Sequence, residues 1–466
     1  MFKKTILKLI IIGLLGSTTA LEAQTDEDIR KVGTIFDNVL TQGQCYHWLH
    51  YLCKKVGNRI AGSPAGAAAV EYTKQMLDTM GCDKVWLQPV KVNYWTRGDI
   101  AECRIINSPT LGTLDLKVTA LCYSAATDDV GLSAEVVEVH SVSELEKLDP
   151  SKVKGKIVFF NGPMDPTKIN TFHAYGAAGN QRTTGPRKAA DMGAVATIVR
   201  SLTLKQDDIP HSGVTIFGST KAIPAAGLGV LSAERLSALL KKEPKTRVYL
   251  RLNPTFHGER ETYNVIGEIK GSVYPDKIIV IGGHIDSWDI GEGAHDDGAG
   301  CVHAMEVLHT FKRMGIRPRH TIRCVLFANE ENGLAGGSEY ATQAKKKAEK
   351  HIAAIESDGG GHTPRGFGMD ANPEILKVGY AKAQKWREVL APYGFYEMEA
   401  GGSGADIGPL KSQDVLLFGF RPDSQRYFDY HHTENDVFEN IHKRELEMGA
   451  AGIAALVYLI DKYGVE

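Results

Sequence analysis

Three short apolar runs in the second half of the chain each end on acidic residues. The runs span residues 277–281, 321–328 and 351–355, and residues 300–314 and 338–350 between them show the apolar spacing of helices. The runs are too short for helices and predict buried strands. Strands and helices in alternation predict right-handed crossovers between parallel strands. We therefore expect an α/β fold with a mixed, mostly parallel sheet and helices on both faces.

The predicted strand ends carry side chains that can bind a metal ion. Parallel strands end at one edge of a sheet, where open α/β sheets place their ligands. Carboxylates gathered there would repel one another unless cations lay among them. A fourth loop, residues 427–436, adds two histidines. The candidates are His284, Asp286, Asp296 and Asp297 after the first run, Glu330 and Glu331 after the second, Asp358 after the third, and His431 and His432 in the fourth loop.

This combination of side chains is typical of a hydrolytic metal site. Imidazoles and carboxylates suit divalent metals, and a set without thiolates favours an open catalytic site over a structural one. Two zinc ions fit the charge, because three carboxylates and one hydroxide neutralise them. A pair of metals can hold one hydroxide between them and polarise a carbonyl group, as two-metal hydrolases do.

The spacing within two motifs indicates which residue binds metal and which supports the chemistry. His284 and Asp286 are two residues apart and face the same way in an extended chain. We expect His284 to bind metal, with Asp286 as the nearby carboxylate that fixes its tautomer. The adjacent Glu330 and Glu331 point in opposite directions, so one can bind metal while the other takes a proton from water.

Five motifs, in this order and at this spacing, resemble those of the M28 co-catalytic zinc peptidases. They are HIDS at 284–287, GAHDDGAG at 293–300, NEENGLAGGSEY at 329–340, ESDGGG at 356–361 and HHTEND at 431–436. The resemblance begins at Gly57, and residues 105–252 resemble the family's protease-associated insert. It implies a zinc exopeptidase of the phosphorylase/hydrolase-like fold that cleaves dipeptides or short peptides.

The resemblance also implies a role for each site residue. It assigns His284 and Asp358 to one zinc ion, Glu331 and His432 to the other, Asp296 to the bridge between them, and Glu330 to the general base. His432 is preferred over His431 because the family's ligand directly precedes Thr or Ser. A non-proline cis peptide bond is expected after Asp296, and Asp436 is expected to support the site.

The chain is expected to divide into four segments. Residues 1–23 read as a signal peptide, with lysines, an apolar run at 9–15 and then small residues, so the protein is expected to be secreted or periplasmic. Residues 24–104 and 253–466 form the two parts of the peptidase domain, and residues 105–252 form an inserted lid domain. Thr433 and Asp436 are expected to cap a final helix from residue 437 onward.

Composition restricts the partners. A net charge of −2 gives no basic bias toward nucleic acid or anionic lipid, so a short peptide is the expected partner, with no membrane contact after signal cleavage. Homodimer formation is left open. The seven cysteines cannot all pair internally. Bridges Cys45–Cys53 or Cys82–Cys103 and buried free thiols are equally compatible with the sequence.

Other functions compete with an exopeptidase. A non-catalytic binding protein is disfavoured because every ligand and the base are present, and a zinc glutaminyl cyclase is disfavoured by the paired glutamates and the insert. A serine hydrolase is suggested only by residues 401–405, GGSGA, which miss the nucleophile-elbow pattern at the last glycine and instead indicate a wall of the cleft.

The end of the peptide that is recognised is harder to assign. Aminopeptidase or dipeptidase action is favoured, with true carboxypeptidase action as the alternative. Arg421 is a candidate for holding a substrate carboxylate, but a lone arginine near Pro422 is more often a surface ion-pair residue.

Overall fold

The computed structural model describes residues 26–465. The predicted signal peptide lies outside these residues. Among residues 26–465, no helix combines the length and the apolar character needed to cross a bilayer.

α-Helices occur along the whole of residues 26–465, in alternation with strands. Where the sequence predicts a break at residues 57–64, Ser63 accepts a hydrogen bond from the amide of Gly66 and Pro64 occupies the first helical turn, so the next helix begins there. In chain order the helices are α1 (26–42), α2 (Cys45–Tyr51), α3 (Pro64–Thr79), α4 (Val142–Leu145), α5 (Thr171–Ala178), α6 (Asn180–Thr183), α7 (Gly185–Asp191), α8 (Val230–Leu240), α9 (Ala299–Arg313), α10 (Glu330–Gly333), α11 (Ala335–Lys346), α12 (Pro373–Leu390) and α13 (Lys443–Tyr463).

The strands belong to two sheets. In chain order they are β1 (Lys84–Thr96), β2 (Ala101–Ser108), β3 (Gly112–Leu116), β4 (Val118–Ala120), β5 (Leu132–Val139), β6 (Ile157–Phe160), β7 (Ala196–Arg200), β8 (Ala225–Leu228), β9 (Arg247–Leu252), β10 (Thr255–Ile269), β11 (Tyr274–His284), β12 (His320–Phe327), β13 (Lys350–Glu356), β14 (Pro364–Asp370), β15 (Glu397–Ala400) and β16 (Leu416–Pro422).

The first sheet is mixed, as the sequence predicts. Its strand order within residues 26–465 is β1-β10-β12-β11-β13-β16-β14-β15. The four central strands β12, β11, β13 and β16 run parallel, and the antiparallel pairs lie on either side of them. The three strands predicted from the apolar runs are therefore neighbours, and they end at one edge.

Strand β11 shows why the central strands are apolar throughout. Ile279 and Ile281 pack in the core that includes α9 and α13, whereas Ile278 and Val280 pack against α11 on the opposite face. Both faces of the sheet are covered by helices, so neither set of alternate side chains can be polar.

The second sheet consists of strands from residues 101–252, in the order β3-β2-β9-β5-β6-β7-β8-β4. The segment that forms it leaves the first sheet after β1 and returns at β10, and these two strands pair as far as Thr96 and Thr255. The two connections therefore lie side by side. Strand β2 begins at Ala101, so residue 105, the expected start of the insert, lies inside a strand.

The structure answers two questions raised by the sequence, the start of the final helix and the pairing of the cysteines. The prediction of a final helix from residue 437 is wrong, because α13 begins at Lys443 and is capped by His442. Asp436 cannot serve as the cap, since its carboxylate accepts the amides of His295 and Asp296 instead. Within residues 26–465 all seven cysteines are free thiols, so neither Cys45–Cys53 nor Cys82–Cys103 is a bridge.

Candidate metal centre

Four chain segments deliver the candidate ligands to the predicted edge of the first sheet. His284 is the last residue of β11, and Asp296 lies in the turn before α9. Glu331 follows β12, Asp358 follows β13, and His432 lies in the loop before α13. The start of α9 packs closely on this edge, because a Cβ atom on Gly300 would lie 1.8 Å from the carbonyl oxygen of Ser357. Only glycine allows this approach.

The ligand-type side chains form two groups that meet at Asp296. In the first group, His284 Nε2 lies 3.2 Å from Asp296 Oδ1 and 3.6 Å from Asp358 Oδ1. In the second group, His432 Nε2 lies 3.3 Å from Asp296 Oδ2 and 3.1 Å from Glu331 Oε2. One carboxylate thus faces both groups with one oxygen each. The peptide bond between Asp296 and Asp297 is cis, as the resemblance implies.

The donor set fits divalent metal ions. His284 Nε2, Asp296 Oδ2 and Glu331 Oε1 are buried and have no hydrogen-bond partner within residues 26–465. Such atoms are costly to bury without a partner, and a bound cation would provide one. Two sets of side chains place one potential ligand atom each within 4.8 Å of one another, His284 with Asp296 and Asp358, and Asp296 with His431 and His432. Nitrogen and oxygen donors of this kind suit zinc.

The electrostatics of the centre also call for cations. Burial raises the pKa of Glu330 and of Glu331, and neighbouring carboxylates, Asp358 for Glu330 and Asp296 for Glu331, raise each further. Burial also opposes ionisation of Asp296, but the imidazoles of His284 and His432 hold its pKa well below the usual range. Protons or metal ions must therefore compensate the charge of this buried cluster.

Asp286 orients His284 differently from the sequence expectation. Nδ1 of His284 lies 3.0 Å from the backbone carbonyl oxygen of Asp286. The nearest carboxylate oxygen of Asp286 is 3.9 Å from the same nitrogen. A carbonyl only accepts, so Nδ1 carries a proton, and Nε2 is the ring nitrogen that faces Asp296 and Asp358 and could bind metal. The carboxylate of Asp286 instead accepts the amide of Glu330 at 3.1 Å. Asp286 thus links the loops after β11 and β12.

Sequence reasoning missed Arg59, which holds the loop between two ligands. Its guanidinium is fully buried and donates to the carbonyl oxygens of Ile285, Glu292 and Gly293 at 2.7–2.8 Å. This loop connects His284 to Asp296. Arg59 is 226 residues from Ile285 in sequence, so no local sequence pattern indicates their contact.

Two further carboxylates fix the backbone beside the ligands. Asp297 accepts the amides of His284 and Gly300, each at 3.0 Å. Asp436 accepts the amides of His295 and Asp296 at 2.7 and 3.1 Å. Asp436 therefore supports the turn that contains Asp296.

A cavity of about 1130 Å³ opens beside the centre. On one side it is lined by site residues, including Asp296, Glu330, Asp358 and His432. Its other walls carry apolar and aromatic residues, which include Tyr123, Val214, Ile216 and Phe217 from the insert and Phe256 and Leu334 from the peptidase part. A second cavity, of about 700 Å³, also touches Asp358 and is lined by Gly401, Gly402, Gly404 and Arg421.

His431, which the family resemblance passes over in favour of His432, and Arg421, which has two interpretations, have clear surroundings. His431 stacks on His432 with ring centroids 3.5 Å apart, and its Nε2 is 3.7 Å from Asp296 Oδ2, so it lies at the centre without contacting Glu331 as His432 does. Arg421 forms an ion pair with Glu399 and donates to the carbonyl of Gly401 at 2.8 Å. The ion-pair interpretation of Arg421 therefore holds.

Comparison with known proteins places the chain in a family. The family model "Peptidase family M28" matches residues 264–457. Carboxypeptidase Q of Xenopus laevis is 33% identical over 396 residues, which cover 85% of this chain and 81% of that protein. The crystal structure of a peptidase M28 precursor from Shewanella amazonensis superposes with a TM-score of 0.88 at 32% identity, covering 94% of this chain and 97% of that chain. The zinc aminopeptidase BSAP from Bacillus subtilis shares the fold, with a TM-score of 0.63 at 20% identity, over 89% of this chain and 94% of that chain.

The fold and the buried histidine and carboxylate centre define a metallopeptidase, an enzyme that hydrolyses peptide bonds. The chain belongs to peptidase family M28.

Proposed function

We propose that this protein is a zinc-dependent exopeptidase that removes one residue from the amino end of dipeptides or short peptides. The observation that carries the proposal is the position of Asp296, which directs one oxygen toward His284 and the other toward His432. His284 with Asp358, and His432 with Glu331, would hold one zinc ion each, and Asp296 would bridge them. When bound, the two ions would supply an activated water and polarise the scissile carbonyl.

Glu330 is the proposed general base. It lines the main cavity beside Asp296 and Asp358, and its amide is fixed by the carboxylate of Asp286. A carboxylate with this position can take a proton from the attacking water and pass it to the leaving amine. Its raised pKa, caused first by burial and then by neighbouring carboxylates, favours proton uptake.

The surroundings of the centre support recognition of the amino end. With zinc bound, a free amine would be able to bind one ion while the other polarises the scissile carbonyl, and a blocked amine would not. Arg421, the candidate for binding a substrate carboxylate, already pairs with Glu399. The alternative, a true carboxypeptidase, needs a cation free to bind the terminal carboxylate.

The insert, residues 105–252, is proposed to be a wall that selects substrates by size. It contributes Tyr123, Val214, Ile216 and Phe217 to the cavity that faces the centre. A cleft cover without ligands of its own acts most directly on which peptides enter.

A matched set of dipeptides tests this proposal. The free peptide, its N-acetylated form and its C-amidated form would be assayed by mass spectrometry with zinc present. Acetylation should reduce kcat/KM by at least ~10-fold, or about 1.4 kcal/mol, and amidation should reduce it less. Cleavage of the acetylated form at the rate of the free one, with no cleavage of the amidated form, would instead establish a carboxypeptidase.

A further inference from the structure

Ser212 of the insert pairs with His432 through both of its backbone groups. The amide of Ser212 donates to the carbonyl oxygen of His432 at 2.9 Å. The carbonyl oxygen of Ser212 lies 3.3 Å from Nδ1 of the same histidine. His432 has a φ of 63°, in the left-handed region that residues other than glycine adopt uncommonly. One residue of the insert thus holds both the backbone and the ring of a proposed ligand.

Arg182, also from the insert, lies next to both Ser212 and His432. It is 6% exposed, and its Nη1 donates to the carbonyl oxygen of Ser212 at 3.2 Å and lies 3.4 Å from Nδ1 of His432. Its Nη2 donates to the hydroxyl of Tyr175 at 2.6 Å. A Cβ atom on Gly213 would lie 2.4 Å from the guanidinium carbon, so the cation packs directly on the backbone of this segment.

Arg97 fixes Ser212 from the peptidase side. Its Nη2 donates to the Ser212 hydroxyl oxygen at 2.8 Å, and its guanidinium forms an ion pair with Asp289. Asp289 lies in the loop that runs from His284 to Asp296. The segment around Ser212 therefore lies between the loops that carry both groups of proposed ligands.

We infer that residues 211–213 and Arg182 are part of the metal centre and that Arg182 is a positioning residue for His432. The inference rests on the proposed function, since it takes His432 as a metal ligand. A histidine that binds metal through Nε2 carries its proton on Nδ1 and needs an acceptor there. The carbonyl oxygen of Ser212 is that acceptor, and Arg182 donates to the same oxygen and holds the peptide group in place.

The arrangement makes docking of the insert and occupancy of one half of the centre mutually dependent. If the Ser212 segment favours metal at His432, metal at His432 must favour the docked segment by the same free energy. The insert is then more than a cover over the cleft, because undocking this segment would remove the partner of His432.

Arg182→Met tests this inference, with Arg182→Lys as the conservative variant. Arg200→Met is the matched control, because Arg200 is an equally buried arginine of the insert that pairs with Glu234 away from the centre. Zinc affinity would be measured by chelator competition, and the visible spectrum would be followed as cobalt(II) is added. Loss of an outer partner typically weakens metal binding ~10- to 100-fold. Arg182→Met should show this loss for one of two equivalents, Arg182→Lys should recover part of it, and Arg200→Met should bind both as the wild type does.

Hydrogen exchange gives a second reading on the same proteins. Zinc should slow exchange of the Ser212 amide in the wild type and should slow it much less in Arg182→Met. Unchanged affinity and unchanged protection in Arg182→Met would overturn the inference. If Arg182→Met does not fold, Arg182→Lys decides by the same two measurements.

A wild-type protein that binds only one equivalent of zinc would contradict the two-zinc proposal. The hydrogen-exchange data alone would then test this inference. Protection of Ser212 by that single equivalent, lost in the Arg182 variants, would uphold it, and no protection would overturn it.

Discussion

Glu330 and Glu331 are neighbours in sequence but have different surroundings. Both line the cavity where substrate would enter, but Glu331 is buried and lies 3.1 Å from His432, whereas Glu330 is partly exposed. Both belong to the first turn of α10, which begins after Asn329 in a left-handed conformation. The left-handed turn at Asn329 lies two residues after the end of β12 and starts this short helix.

Glu330→Gln should retain zinc and the fold but lose turnover. The amide has nearly the shape of the carboxylate and cannot accept a proton from water, and loss of a general base typically costs ~10²- to 10⁴-fold in rate. Metal analysis and steady-state kinetics on the same sample would check this. The matched variant Glu331→Gln should instead lose metal. Activity of Glu330→Gln within a few-fold of the wild type would remove Glu330 from this role.

The residues proposed to bind metal were accessible from the sequence because each follows a predicted strand or belongs to a family motif. Their supporting residues were not. Arg59 acts on carbonyl groups more than 220 residues away, and Arg182 acts on a histidine 250 residues away. These contacts depend on how the two sheets pack together, and no local spacing encodes that packing.

At the level of secondary structure elements, the insert shows where prediction from sequence is weakest. Strand β8 is fully buried, yet its sequence is Ala-Ala-Gly-Leu, which has little intrinsic preference for a strand. Strand β3 lies at the end of its sheet and is largely exposed, so it lacks an apolar run. The central strands β11, β12 and β13 were predictable because helices bury both of their faces.

The cavity wall contributed by the insert should affect which peptides are cleaved. Ile216 lines the main cavity and is half exposed, so Ile216→Ser removes apolar contact area without opening a core. A loss of about 1 kcal/mol of apolar contact corresponds to ~5-fold in kcat/KM. We expect the ratio of kcat/KM for an apolar dipeptide to that for a ten-residue peptide to change by about this factor.

Val130→Ser is the matched control for this experiment. Val130 is an exposed apolar residue of the same insert that does not line either cavity. It should leave the ratio unchanged. If Ile216→Ser also leaves the ratio unchanged, the insert does not select substrates at this wall.

For the whole molecule, the candidate metal centre is the place where distant parts of the chain meet. The first sheet supplies β11, β12 and β13, the loop before α13 supplies His432, and the insert supplies Ser212 and Arg182. Arg59 and Arg97, from the first hundred residues, donate hydrogen bonds to Ile285 and to Ser212, respectively. Metal binding would therefore stabilise the mutual packing of all these parts, since it acts only on the folded arrangement.

The proposed function depends most on a centre of two metal ions that share Asp296. Anomalous diffraction at the zinc absorption edge, from crystals of the zinc-loaded protein, tests this directly. We predict two peaks per chain, one contacting His284 and Asp358 and the other contacting His432 and Glu331, with Asp296 contacting both. A single peak, or a second ion bound by His431 in place of His432, would contradict it.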